Sequence, residues 1–120
     1  MTTYTFQPET IVALSQVPPN TRASQDSGLG VKYLEPVLIG LDSMLRYAKA
    51  YEKQFDQKLS QDYMARDEFL GIITGYRALL NFDGAVAWEL DKRGDSKDNS
   101  VCESIFWEAL KAGGFSEADI

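Results

Sequence analysis

Histidine is absent from the chain, and cysteine occurs once, at Cys102. The first absence removes the commonest general base, the usual partner of a nucleophile and the most frequent metal ligand, so any catalysis would fall to carboxylates, Lys, Tyr or the lone thiol. The second excludes an internal disulfide and, with it, the usual advantage of an oxidising compartment. No apolar stretch approaches bilayer-spanning length, and Met1–Phe6 has neither the basic start nor the apolar run of a signal peptide. The expected location is the cytoplasm, with no membrane association. A basic stripe is missing too: 18 acidic residues against 12 basic ones leave a formal charge of −6, and the bases are scattered. Phosphate-backbone binding needs a concentrated positive field, so direct nucleic-acid binding is not expected. The carboxylates do not form the dense array of a DNA mimic either, because Lys and Arg interrupt every acidic segment.

What is present is the composition of an ordinary folded domain, with 44% hydrophobic and 25% charged residues. A chain of 120 residues can bury one core and hardly two, which predicts a single helical domain over 1–120. Pro8 is placed to open a short helix, anchored by Ile11, Val12 and Leu14 and stopped by Pro18-Pro19. The following residues are rich in Ser, Asn, Asp and Gly and predict a loop over 18–32. From Pro36 to about Leu59, the residues Leu38, Leu41, Leu45, Ala48, Tyr51, Phe55 and Leu59 recur at steps of three and four, one stripe along an amphipathic helix. Asp42, Arg46, Lys49, Lys53 and Asp56 are assigned to the side away from it. Strand content could come only from Thr2–Phe6 or Val31–Leu34.

The second long helix, about 60–82, differs in kind, because between Phe69 and Phe82 the only charged residue is Arg77. Ser60 is its expected N-cap, with Asp62 in the first turn. At about 100° per residue, Phe69, Ile72, Ile73, Tyr76, Leu79 and Leu80 form a bulky side, while Gly71, Thr74, Gly75 and Ala78 form a smooth one. Two helical glycines cost about 1 kcal/mol each relative to alanine, and another helix packed against the smooth side is the expected compensation. Val86, Trp88 and Leu90 supply a further helix ending near Gly94. After a turn over 95–99, Ser100 and Glu103 have capping-box spacing at the head of a last helix through Val101, Ile105, Phe106, Ala109 and Leu110, which Gly113-Gly114 ends. Phe115 is expected to fold back on that helix. The fold class is therefore all-α, a compact bundle of four to five helices with a central helix about 60–82 and at most a minor N-terminal strand.

The motifs that evoke chemistry are incomplete. Asp91, Asp95, Asp98, Asn99 and Glu103 do not follow the order of a calcium-binding loop, and Gly28-x-Gly30 lacks the third glycine and the preceding strand of a dinucleotide fingerprint. Cys102, just inside the expected helix start, would feel a dipole that lowers a thiol pKa, but has no imidazole to pair with. No catalytic residue, metal or cofactor is assigned. Tyr47 and Trp107 are the aromatics least committed to their helices' apolar stripes. With Arg77 and the smooth stripe of Gly71, Gly75 and Ala78 they form the expected protein interface.

The leading expectation is a non-enzymatic protein–protein interaction module, a small inhibitor or adaptor of bacterial or phage origin acting on another protein. One alternative is a small-ligand binder or enzyme whose inter-helix pocket uses Arg77 with Glu68 or Asp83. The other is a self-assembling homodimer through Gly71, Gly75 and Ala78.

Overall fold

A computed structural model of the chain describes residues 4–16, 29–82 and 96–120, and the side-chain surroundings of 4–16, 36–79 and 101–120. Its helices are α1 (Pro8–Ser15), α2 (Leu29–Phe55), α3 (Tyr63–Phe82) and α4 (Ser96–Gly113), with single 3-10 turns at Leu59–Gln61 and Glu117–Asp119. No strand occurs among the described residues. Tyr4–Gln7 run without regular structure, and Val31–Leu34 are helical.

The core follows from two apolar stripes that bury each other. Leu38, Leu41, Leu45, Ala48 and Tyr51 of α2 are all buried, as are Val101, Cys102, Ile105, Phe106, Ala109 and Leu110 of α4, and the two sets belong to one cluster. Either stripe alone would leave its apolar side chains in water, and together they form the layered packing of a helical bundle. The bundle expected from sequence is present, and among the described residues its core centres on the α2–α4 pair more than on the 60–82 helix. Among its described side chains α3 adds only Phe69 and Ile73 to the buried core, while Ile72 and Leu79 are exposed. It lies on the flank of the α2–α4 pair, and among the described residues the arc around Ile73 is the side that meets neighbours.

Several boundaries also move. α2 begins at Leu29, so 29–32 of the expected 18–32 loop are helical and Pro36 lies within the helix, exposed. The remainder of that loop falls outside the described residues, as does the helix expected over Val86, Trp88 and Leu90. α2 ends at Phe55, and Asp56 turns the chain with φ 52°, its N–H donating to the Glu52 carbonyl at 2.9 Å. The cap of α3 is Asp62 and not Ser60: Asp62 Oδ1 accepts the N–H groups of Met64 (3.1 Å) and Ala65 (3.3 Å), satisfying two of the donors a helix start leaves open. α4 starts at Ser96, so Ser100 lies inside it and its spacing to Glu103 does not cap the helix. Cys102 is accordingly a buried mid-helix residue, away from the N-terminal dipole. The far end of α4 is as expected. Gly114 (φ 87°) donates to Lys111 O at 3.0 Å and Phe115 to Leu110 O at 2.9 Å, the paired bonds of a Schellman ending, and Phe115 is buried.

α1 is held differently from the expectation. Ile11 and Val12 are exposed, and Thr10 is the buried residue of the helix. Its hydroxyl donates to Asp42 Oδ1 at 2.5 Å, the Gln7 N–H donates to the same oxygen at 2.9 Å, and the Tyr4 hydroxyl donates to Asp42 Oδ2 at 2.6 Å. Asp42 is 0% exposed, which corrects its assignment to the outer side of α2. One and two turns further along α2, Arg46 donates to the Thr5 carbonyl and lies 5.1 Å from the Tyr4 ring centroid, and Lys49 reaches Glu9 at 2.9 Å. Positions 42, 46 and 49 thus form a polar ladder on which residues 4–10 are mounted. Ala13 and Leu14 complete the attachment by packing on the core.

The glycine that permits close approach is Gly40, not Gly71 or Gly75. A Cβ at Gly40 would collide with the Tyr76 ring, whereas one at Gly71 or Gly75 meets nothing within 4 Å. The smooth side of α3 is therefore open, with no helix packed on it among the described residues.

Two stability predictions follow from these placements. Asp42→Ala leaves a buried hydroxyl and a backbone N–H without their acceptor and is expected to cost about 2–4 kcal/mol in urea unfolding. A loss under about 1 kcal/mol would mean the ladder contributes little. Gly71→Ala and Gly75→Ala are each expected to stabilise by about 0.5–1 kcal/mol, and Gly40→Ala to destabilise by about 1–3 kcal/mol. The reverse order would contradict the assignment of the tight contact.

Candidate functional site

Between α2 and α3 lies a slot of about 200 Å³ lined by Met44, Tyr47, Ala65, Glu68, Phe69 and Ile72. Its residues arise from the helix register: Met44 and Tyr47 are three apart on α2, and Ala65, Glu68, Phe69 and Ile72 are spaced by three and four on α3, so each set shares a face. Phe69 is the floor. Its ring stacks on Tyr47 (centroids 6.4 Å, interplanar angle 22°) and, on the other side, on Phe115 (5.6 Å, 8°). Tyr47 itself remains 49% exposed and Ile72 43%, and further along the outward face of α3 Met64 is 84% and Leu79 44% exposed. Gly71, Gly75 and Ala78 are exposed on that face, so bulky apolar side chains alternate there with bare backbone.

Two links fix the separation of the slot's walls. Tyr76 packs over Gly40 deeper in the bundle. At the end where α2 turns into α3 the Tyr51 hydroxyl donates to Asp62 Oδ2 at 2.5 Å, while the other oxygen of Asp62 caps α3. The bond to Asp62 raises the Tyr51 pKa, assisted by burial. The same bond, followed by the Ala65 N–H, lowers the Asp62 pKa. A phenol donating to a carboxylate is favoured only while the first is protonated and the second is ionised, so both shifts describe one interaction.

The interface residues expected from sequence separate into two groups. Tyr47, Gly71, Gly75 and Ala78 lie at or beside the slot. Arg77 and Trp107 lie elsewhere: Arg77 pairs with Glu103 (2.8 Å) and places its guanidinium 4.8 Å from the Phe106 ring centroid and 5.3 Å from that of Trp107. Glu68 and Arg77 are nine residues apart on one helix, about 180° around its axis, so the expected Arg77–Glu68 pocket is not assembled. Asp83 is outside the described residues. Sequence reasoning missed Met44, Ala65 and the exposure of Met64. Met44 carries a legible signal, since it stands three residues before Tyr47 and off the buried stripe. No three His, Cys, Asp or Glu side chains gather into a metal-binding group among the described residues, and no helix there is long and apolar enough to cross a membrane.

Comparison of the chain with protein-family models, with curated proteins and with solved structures finds no match.

The Tyr51–Asp62 link predicts a specific pH dependence. Asp62 has a lowered folded pKa, so its contribution is present above the usual carboxylate range and is lost as pH falls through the folded value. Tyr51 has a raised pKa, so its contribution is present below the usual phenol range and is lost as pH rises through the folded value. The difference in thermal midpoint between wild type and Tyr51→Phe should therefore be largest between about pH 5 and 9 and shrink at both extremes. A difference independent of pH would exclude the link.

Proposed function

We propose that the chain is a small non-enzymatic protein-binding module, acting in the cytoplasm as an inhibitor or adaptor of another protein, and that the slot between α2 and α3 is its contact surface. The observation that carries this reading is the run of exposed Tyr47, Met64, Ile72 and Leu79 around unobstructed backbone at Gly71 and Gly75. Exposed aromatic, Met and aliphatic side chains beside a slot are characteristic of recognition surfaces. Arg77 and Trp107 pack on each other and serve as the far-side support of α3.

Self-association is a second reading, favoured by the open glycines: a helix from another copy can approach the bare backbone at Gly71, Gly75 and Ala78 closely. Affinity capture from cells that express the protein, followed by mass spectrometry, tests the first reading. A discrete protein is expected with wild type and with the Ile11→Asp control, and not with Ile72→Asp. Identical capture by all three would contradict it. Light scattering addresses the second. A wild-type dimer that Gly75→Leu converts to a monomer would move the function to self-assembly.

A further inference from the structure

Resting on the reading of the α2–α3 slot as a protein-binding surface, we infer that its occupant is a basic amphipathic helix, which seats an apolar side chain between Tyr47 and Ile72 and sets its Lys or Arg residues against Asp67 and Glu68.

Charge complementarity supports this choice. Among the described residues, five cations are each paired with another carboxylate: Arg46 with Asp42, Lys49 with Glu9, Lys58 with Glu52, Arg66 with Asp119 and Arg77 with Glu103. Glu68 lines the slot, Asp67 is its exposed neighbour, and neither takes part in an ion pair among the described residues. The slot is thus apolar in its floor and most of its wall and carries the Glu68 carboxylate, with Asp67 next to it in sequence, on a chain of net charge −6. An acidic ligand or a phosphate surface meets like charge there, and a second copy of this chain would bring its own Asp67 and Glu68 to the same contact. A cationic ligand gains at both levels.

Size and shape select a helix. About 200 Å³ accepts one or two bulky side chains and not a globular surface. Beyond it the outward face of α3 continues past Gly75 to Leu79 without protruding side chains at Gly71 and Gly75, leaving a shallow track on which a partner helix can lie. A helix presenting apolar anchors at i, i+3 or i+4 and i+7 matches such a track, and its polar face carries the bases outward to Asp67 and Glu68.

The probe is a fluorescent peptide of about 14 residues with Leu on one helical face and Lys on the other, compared with a Leu/Glu counterpart and with a scrambled Leu/Lys peptide of equal charge. Anisotropy titrations use wild type, Ile72→Asp and the pair Asp67→Lys with Glu68→Lys, each first checked for native circular dichroism. The amphipathic Leu/Lys peptide is expected to bind wild type at least about tenfold more tightly than either comparison peptide, and to weaken as salt rises. Ile72→Asp should abolish that binding, and the double charge reversal should transfer preference to the Leu/Glu peptide. Equal binding of the scrambled peptide, indifference to Ile72→Asp, or no binding of any peptide would overturn the proposal. So would a dimer of the unliganded chain, detected by sedimentation, that Ile72→Asp dissociates. If cellular capture depends on Ile72 while peptide preference ignores Asp67 and Glu68, the occupant assigned here is wrong and the protein-binding reading stands. If neither depends on Ile72, both fail.

Discussion

A single buried carboxylate decides how the N-terminal part of this molecule is attached. Asp42 sits within the apolar layer of α2 with no exposed surface, and removing a carboxylate from water is unfavourable unless its oxygens are met by donors. The donors come from a segment more than thirty residues earlier: the hydroxyls of Tyr4 and Thr10 and the backbone N–H of Gln7. Because the acceptor has a fixed place on α2, these three groups have one arrangement that satisfies it. The interaction therefore sets the register of α1 more narrowly than apolar contact could, and the mostly exposed α1 owes its position to polar geometry.

The same economy explains why one side of α3 is open. The helix is tied to the bundle by Phe69 and Ile73 in the core, by Tyr76 over Gly40, by Asp62 through Tyr51 and by Arg77 through Glu103. These contacts lie on its inner half and at its start, and they suffice to hold it against α2 and α4. The outer half carries apolar side chains that are exposed. Leaving Ile72, Leu79 and Met64 in water is unfavourable for an isolated molecule, and the glycines between them weaken the helix further. A surface with both properties is what motivates the proposed binding role.

The helical class and the two core stripes were legible because strict spacing at three and four survives any later arrangement of the helices. Leu41, Leu45, Ile105 and Leu110 are buried where their periodicity puts them. Asp42 was not recognised, although it stands four residues after Leu38 and three before Leu45 and so borders the stripe. A charged residue there reads as solvent-facing until its donors are known, and those lie in distant sequence. The glycines illustrate the complementary limit. Local spacing distinguishes a smooth face from a bulky one on α3, but whether a neighbour approaches it depends on tertiary placement, and the close approach occurs at Gly40, whose immediate sequence carries no such signal. Of the candidate site, Tyr47 and the glycine stripe were visible from the chain alone. Arg77 lies about half a turn round α3 from Glu68, and Trp107, on α4, packs beside it, a separation that depends on tertiary placement.

The stack of Tyr47, Phe69 and Phe115 carries an implication for how the slot keeps its shape. Phe69 is supported from below by a residue that follows the last helix, and Phe115 is itself aimed inward by the left-handed turn at Gly114, which nests against Lys58 and Ser60. The depth of the slot is thus set from behind by the C-terminal turn, as a drumhead is set by its frame. Any event that loosens that turn acts on the slot at a distance, without touching a residue that a ligand would meet.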